Sequence, residues 1–220
     1  MKRVLSFLFL IFVVSGRAQA SPVRVWHDMK DGERSKIRAE GIIKAAPEDV
    51  WSHLIRFNDY DKFMPRVIDS FFVSEEGLEA LRRSQTQNGN KMRDVAKKFR
   101  SEMARRPGQS WQGYVFMLIN VPFPAENRWY VLDAVQDETR SEDRIYKRCW
   151  TFVMGNIRDA NGCWTLKPGP DARETETSYE DNIDAGGSIP DWMARLGARK
   201  TVPEIFHSLE RVSIAGKKDK

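Results

Sequence analysis

The residues in this sequence that could do chemistry are few and dispersed. Its three histidines, His27, His53 and His207, stand far apart, and no group of His, Cys, Asp or Glu has metal-ligand spacing. The sequence has no G-x-S-x-G elbow, no phosphate-cradling glycine loop, and no cysteine with a sequence-evident base. Each histidine is read as a surface or helix-face residue. The two cysteines, Cys149 and Cys163, could close a short disulfide loop or serve as two small buried hydrophobes. The hairpin expected around them does not place them directly opposite. The residue with the clearest functional potential is Arg128. It follows a proline-rich turn and shares strand parity with Tyr130, Leu132 and Ala134, which puts it on the apolar side of a strand. A guanidinium there needs a ligand oxygen or a carboxylate; a salt bridge that orders the sheet is the structural alternative.

The elements that must position these residues follow from periodicity. Ser35 to Ala45 alternates as a strand, with Ile37, Ala39, Gly41 and Ile43 on one face. Ala46 to Ile55 reads as a helix: Pro47 suits the first turn, Glu48 and Asp49 complement the dipole, and Val50, Trp51, Leu54 and Ile55 form a buried stripe. A short helix is expected from Asp59 to Met64, ended by Pro65. Strands follow at 66–74, 111–120, 128–136, 145–154, 163–167 and 174–183; the first three are apolar on both faces. The turn-rich stretch 155–162 argues for a hairpin with a longer loop. The last strand alternates Thr175, Thr177 and Tyr179 against acids. A helix beginning near Ser188, with Pro190 in its first turn and Asp191 three residues after Ser188, carries Ile189, Trp192, Leu196, Phe206 and Leu209 on its apolar face. Pro203 is expected to kink or restart it.

The chain of 220 residues is 41% hydrophobic and 30% charged, which excludes disordered, collagenous and coiled-coil classes. Its start has the pattern of a secretory signal: Met1-Lys2-Arg3, an apolar run from Val4 to Val14 broken only by Ser6, and Ala18-Gln19-Ala20 at the cleavage position. Such a run rises only about 16 Å as a helix, against roughly 30 Å of bilayer core. Lys2, Arg3 and Arg17 carry three of the five net positive charges, so the chain from Ser21 is left with +2, too little to suggest nucleic acid. We therefore expect a signal peptide over 1–20, an N-terminal extension over 21–34, one domain over 35–213 and a disordered tail over 214–220. Export, to a bacterial periplasm, would favour the disulfide.

One segment departs from this mild charge. Between Gly77 and Gly108, nine Lys or Arg face three acids, a balance of +6. Lys91 to Arg106 reads as a helix with a Met92, Val95, Ala96, Phe99, Met103 stripe. A solvated helix face on an insertion is one reading; a basic amphipathic element that rests on anionic lipid through Lys91, Arg93, Lys97, Lys98, Arg100, Arg105 and Arg106 is another.

Four stretches in this order resemble the START-like, polyketide-cyclase and coenzyme Q-binding superfamily (SRPBCC). They are Ile43 to Trp51, Tyr60 to Pro65, Val121 to Pro124 with Asn127 to Val131, and Gly186 to Trp192. The basic insertion departs from its usual plain hairpin. The resemblance implies an α+β helix-grip fold, a curved antiparallel sheet of about seven strands around a long C-terminal helix, with a hydrophobic tunnel between them. It implies a bound apolar molecule, whether lipid, sterol or isoprenoid quinone, with Arg128, Tyr130, Leu132, Trp150, Phe152, Trp164, Tyr179, Trp192, Leu196 and Phe206 as the expected lining; any one of the seven tryptophans could equally be plain core. Relatives perform cyclase or dehydratase chemistry with a few acid-base groups, for which Glu180, Asp133 and Arg128 are available here. Binding and transfer, with no cofactor and as a monomer, is the first expectation; a cyclase-type enzyme acting on a polyketide-like substrate is the alternative. An interaction module whose insertion binds another envelope protein is the third.

Overall fold

The long helix α5 (Asp191–Ala215) meets the sheet through Val202, Phe206 and Leu209, all buried. The computed structural model describes residues 22–28, 35–84, 88–121, 126–186 and 191–216, except for the side chains of 191–198. The expected signal peptide, Pro122 to Pro124, the Gly187 to Pro190 turn, the Trp192 and Leu196 side chains and the last four residues lie outside that description. Around α5 runs an antiparallel sheet in the order β1-β2-β9-β8-β7-β6-β5-β3-β4. Its strands are β1 (Arg24–Asp28), β2 (Ser35–Ile43), β3 (Val67–Val73), β4 (Arg100–Ser101), β5 (Ser110–Ile119), β6 (Arg128–Asp137), β7 (Tyr146–Gly155), β8 (Asp159–Pro168) and β9 (Thr175–Asp184).

The expected α+β architecture is present, and the seven anticipated strands are all found. Two more are added. Within the stretch read as an extension, Arg24–Asp28 pairs along β2 as an edge strand, and the two-residue β4 pairs with the end of β3. Helix α1 (Pro47–Leu54) buries Val50, Trp51 and Leu54 as its spacing predicts, and α2 (Tyr60–Phe63) follows a single 3-10 turn. Helix α5 continues through Pro203 without restarting and reaches Ala215, past the expected start of the tail.

The β7–β8 hairpin corrects one expectation. Strand β8 begins at Asp159, inside the stretch read as a loop, so the connection is only 156–158. The β7–β8 ladder closes at Thr151 opposite Asn161, and in that register Cys149 stands directly opposite Cys163. The two are disulfide-bonded, with Cα atoms 4.1 Å apart. Cys149 alternates with the inward-facing Arg148 and Trp150, so the bridge sits on the outer face of the sheet.

The insertion corrects another. Instead of a helix from Lys91 to Arg106 there are two helices, α3 (Glu75–Arg83) and α4 (Gly89–Lys97), and the chain then enters β4 and leaves helical structure. Ser74 and Asn88 cap them through their side chains, accepting from the backbone N–H groups of Gly77 and Lys91. Both helices lie on the outer face. Leu78, Leu81, Met92 and Ala96 form a second core there with Phe71, Phe116, Leu118, Trp129 and Val131 from β3, β5 and β6. This is why those three strands are apolar on both sides: each has a covering layer on each face.

If α3 is a structural layer and not a solvated appendage, Leu81→Ala should lower unfolding free energy by about 2–5 kcal/mol, read from urea denaturation; a change within experimental scatter would mean that the insertion is detachable. Breaking the Cys149–Cys163 bridge by the double alanine variant should cost about 3 kcal/mol in the same assay, whereas an unchanged midpoint would show that the hairpin holds without it.

Candidate ligand-binding site

The inner face of the sheet is packed solid at the end occupied by α1. Trp51 stacks on Tyr146 with ring centres 5.3 Å apart and meets Trp111 edge-on at 6.4 Å. Its indole N–H donates to the buried Glu138 at 2.5 Å. Glu138 also accepts two hydrogen bonds from Arg105, at 2.7 and 3.0 Å. Beside them Arg148, 5% exposed, donates to the Leu54 carbonyl at 2.5 Å and to the Tyr60 hydroxyl. Its guanidinium also lies 4.6 Å from the centre of the Phe57 ring. A cation on the last carbonyls of α1, among aromatic faces, is favourably placed, so Arg148 fastens α1 and the α2 turn to the sheet.

Towards the opposite end the packing changes. Among the described residues the backbone of α5 lies close to β1, β2, α1 and α2. Tyr130, Phe152, Tyr179 and Ile183 point to the inner face yet keep accessible surface. Burial pushes the Tyr130 and Tyr179 hydroxyls well above their ordinary range, with the Asp181 charge adding to it. These four side chains therefore form a stretch of the inner face that is desolvated but not fully covered.

Asp181 stands among them, 9% exposed. The Tyr179 hydroxyl donates to its Oδ2 at 3.0 Å, and its Oδ1 has no hydrogen-bond partner. Burial pushes its pKa from 3.8 up to about 6, against the opposing pull of hydrogen bonds from Tyr179 and Trp150. No Lys or Arg is among the groups that act on it. Gly162, opposite Asp181 on β8, makes the arrangement possible: a Cβ there would lie 2.6 Å from the Trp150 ring, so only glycine lets the indole lie across this strand.

A long helix against a large antiparallel sheet matches a known family. The model for polyketide cyclase / dehydrase and lipid transport proteins matches residues 43–210. The chain belongs to this family. Among solved structures, it resembles a STAR-related lipid transfer protein from Xanthomonas axonopodis (TM-score 0.60, 20% identity, covering 89% of this chain and 99% of that one). It also resembles human STARD10 (0.60, 15%, 89% and 71%) and the Zhui aromatase/cyclase from Streptomyces sp. R1128 (0.53, 12%, 81% and 92%). At these identities the likeness is one of fold. No curated protein matches the sequence.

Within this polyketide cyclase and lipid transport fold the expected site residues separate. Tyr130, Phe152 and Tyr179 are partly exposed on the inner face. Leu132 and Trp150 are on the same face and nearly buried. Trp164 and Phe206 are spent on each other, with ring centres 5.3 Å apart, and belong to the solid core. Among the described residues Arg128 makes no ion pair; it donates to the carbonyls of Glu126, Ala185 and Gly186, tying the start of β6 to the chain that leads into α5. Backbone carbonyls take up the guanidinium where the sequence suggested a carboxylate or a ligand oxygen. Glu180 and Asp133 are on the outer face, out of reach of any guest. Sequence reasoning missed Asp181, although it shares parity with Thr175, Thr177 and Tyr179.

The seven basic residues divide as well, four with a partner among the described residues and three without one. Lys97 pairs with Asp69 at 2.6 Å, Arg93 with Asp94 at 3.0 Å, and Arg105 with Glu138, while Arg100 lies over the Phe71 ring. Lys91, Lys98 and Arg106 are exposed. The outer face also carries a solvent-open depression of about 490 Å³ lined by Trp26, Lys36, Arg38 and Glu180 among others; its charge does not suit an apolar guest. Among the described residues no group of His, Cys, Asp and Glu could hold a metal.

The raised Asp181 pKa has a defined thermodynamic sign. Between pH 4 and 6 the folded state binds more protons than the unfolded one, so Asp181 erodes stability as pH rises through that window. Asp181→Asn should therefore gain stability over the parent by about 2–3 kcal/mol between pH 4 and pH 7.5, at roughly 1.4 kcal/mol per unit. Urea denaturation at both pH values reads this; an equal difference at both would mean that the carboxyl is solvated.

Proposed function

We propose that this protein binds a lipid-like molecule in the hollow between α5 and the inner face of the sheet, and carries it between membranes in an exported compartment. The observation that carries the reading is the combination at Tyr130, Phe152, Tyr179 and Ile183 of inward orientation with residual accessible surface. Each CH₂ left in water costs about 0.8 kcal/mol, so a long-chain molecule leaves a membrane slowly unless such a lining receives it. The names of similar structures, a STAR-related lipid transfer protein among them, support the same class of ligand. The Cys149–Cys163 bridge supports an oxidising compartment, as the leader-like start of the sequence does. Transfer also requires a transient membrane contact, to which the exposed Lys91, Lys98 and Arg106 would contribute.

A cyclase-type reading needs a second group able to exchange protons beside the first. The groups nearest Asp181 are Tyr130 and Tyr179, whose hydroxyls burial holds far above neutral pH. Carriage is therefore the reading we adopt.

Native mass spectrometry of protein purified without detergent should show an adduct of lipid mass that is lost on organic extraction. A spectrum of bare chain only, together with no uptake of a fluorescent fatty-chain probe, would contradict the proposal.

A further inference from the structure

The two edges of the sheet differ. Strand β1 lies outermost in the strand order and, among the described residues, pairs with β2 alone; the strand at the far edge, β4, has only two residues. An unpaired strand edge is a template for another chain unless Pro, Lys, a bulge or a covering element blocks it. The five residues of β1, Arg-Val-Trp-His-Asp, include no Pro or Lys, and their pairing with β2 runs without a bulge. Arg24, Trp26 and Asp28 point to the outer face and are exposed, Trp26 at 47%, while Val25 packs against the core. On the outer face Arg24 stands opposite Glu40, Trp26 opposite Arg38 and Asp28 opposite Lys36, with the Arg38 guanidinium 5.6 Å from the centre of the indole ring.

We propose that β1 pairs antiparallel with β1 of a second copy of this chain about a two-fold axis at Trp26, joining two nine-stranded sheets into one, in place of the monomer expected from the sequence alone. An isologous contact requires a patch that is complementary to itself. Arg24 and Asp28 lie two residues either side of Trp26 on the same face and carry opposite signs. In the two-fold register Arg24 faces the partner's Asp28, and Asp28 the partner's Arg24. Each outer row then reads Glu40, Arg24, the partner's Asp28, the partner's Lys36, alternating in sign at every step. Opposite charges directly across neighbouring strands stabilise a sheet and like charges destabilise it. The central row sets Trp26 against the partner's Trp26, and covers the most exposed large apolar side chain among the described residues. Parallel pairing would put like charges side by side, and a two-residue slip would break both ion pairs. A five-residue strand is about 17 Å long, so the contact falls below the roughly 1,200 Å² of a standard interface and the dimer is a weak one. The inference stands apart from the lipid reading, since no residue of the proposed ligand space takes part.

Sedimentation velocity of the purified chain between about 10 and 500 µM should show monomer passing to dimer as concentration rises, and Trp26→Ser should weaken that association about tenfold or more. The register is read by trapping. Directly opposite residues have Cα atoms about 4.5–5.5 Å apart, within reach of a disulfide, whereas position 24 of one copy lies roughly 13 Å from position 24 of the other. Arg24→Cys and Asp28→Cys chains, mixed in equal amounts and oxidised with copper phenanthroline, should therefore give a covalent dimer on non-reducing gels severalfold above either variant alone. The mixed pair keeps one of the two ion pairs and both tryptophans, so the trap does not weaken what it measures at every point. An unfolding transition matching the parent's will confirm that each variant is folded. A parent that stays monomeric over the whole range would overturn the proposal and leave the edge to another protein or to the residues that precede it. A dimer that Trp26→Ser leaves unchanged, or trapping no greater in the mixture than in the single variants, would place the contact elsewhere and overturn it equally.

Discussion

Contact of the Phe206 ring with Trp164 and with the bare backbone of Gly41 fixes where the long helix touches the sheet, and the rest of the inner face follows from it. A Cβ on Gly41 would stand 3.2 Å from that ring, so the glycine sets the close approach of helix and β2. With α5 rooted there, beside α1 and the Trp51, Trp111 and Tyr146 cluster, one end of the grip is sealed by aromatic packing. Away from that end Tyr130, Phe152 and Ile183 keep accessible surface on the inner face, and the proposed ligand space lies there.

The outer face serves this arrangement. A sheet with one packed face and one wet face can flex towards its hollow, but β3, β5 and β6 are clamped from behind by α3 and α4, and the hairpin β7–β8 is closed by a disulfide on the same side. These strands form a stiff back wall. The basic character of the insertion, which invites a membrane reading when the sequence is taken alone, is largely absorbed in holding that layer: Lys97 and Arg93 reach across to Asp69 on β3, and Arg105 reaches Glu138 past the edge of the sheet.

Much of the fold was legible because periodicity reports burial. The α1 stripe, the seven anticipated strands and the doubly apolar character of β3, β5 and β6 were all visible in spacing alone, although what covered the second face was not. What failed depended on small offsets. The register of the β7–β8 ladder decided whether Cys149 faced Cys163. Gly, Asn and Asp in the 155–162 stretch read as loop although half of it pairs as strand. The site was harder to read. Arg128 had the right parity and stands at the edge of the inner face, yet local carbonyls captured it, which no spacing rule reports. Asp181 had the same parity as Tyr179 and could have been found on that ground. An acid in an acid-rich strand reads by default as solvated, and only the three-dimensional setting, without a cation and with one oxygen unpaired, marks it out.

The most direct test of the account is diffraction from crystals of the purified protein, with electron density calculated for the space between α5 and the inner faces of β5 to β9. The account predicts elongated density unconnected to the chain, running past Tyr130, Phe152 and Ile183. Aromatic and aliphatic side chains of α5 occupying that volume, with no room for a guest, would contradict it.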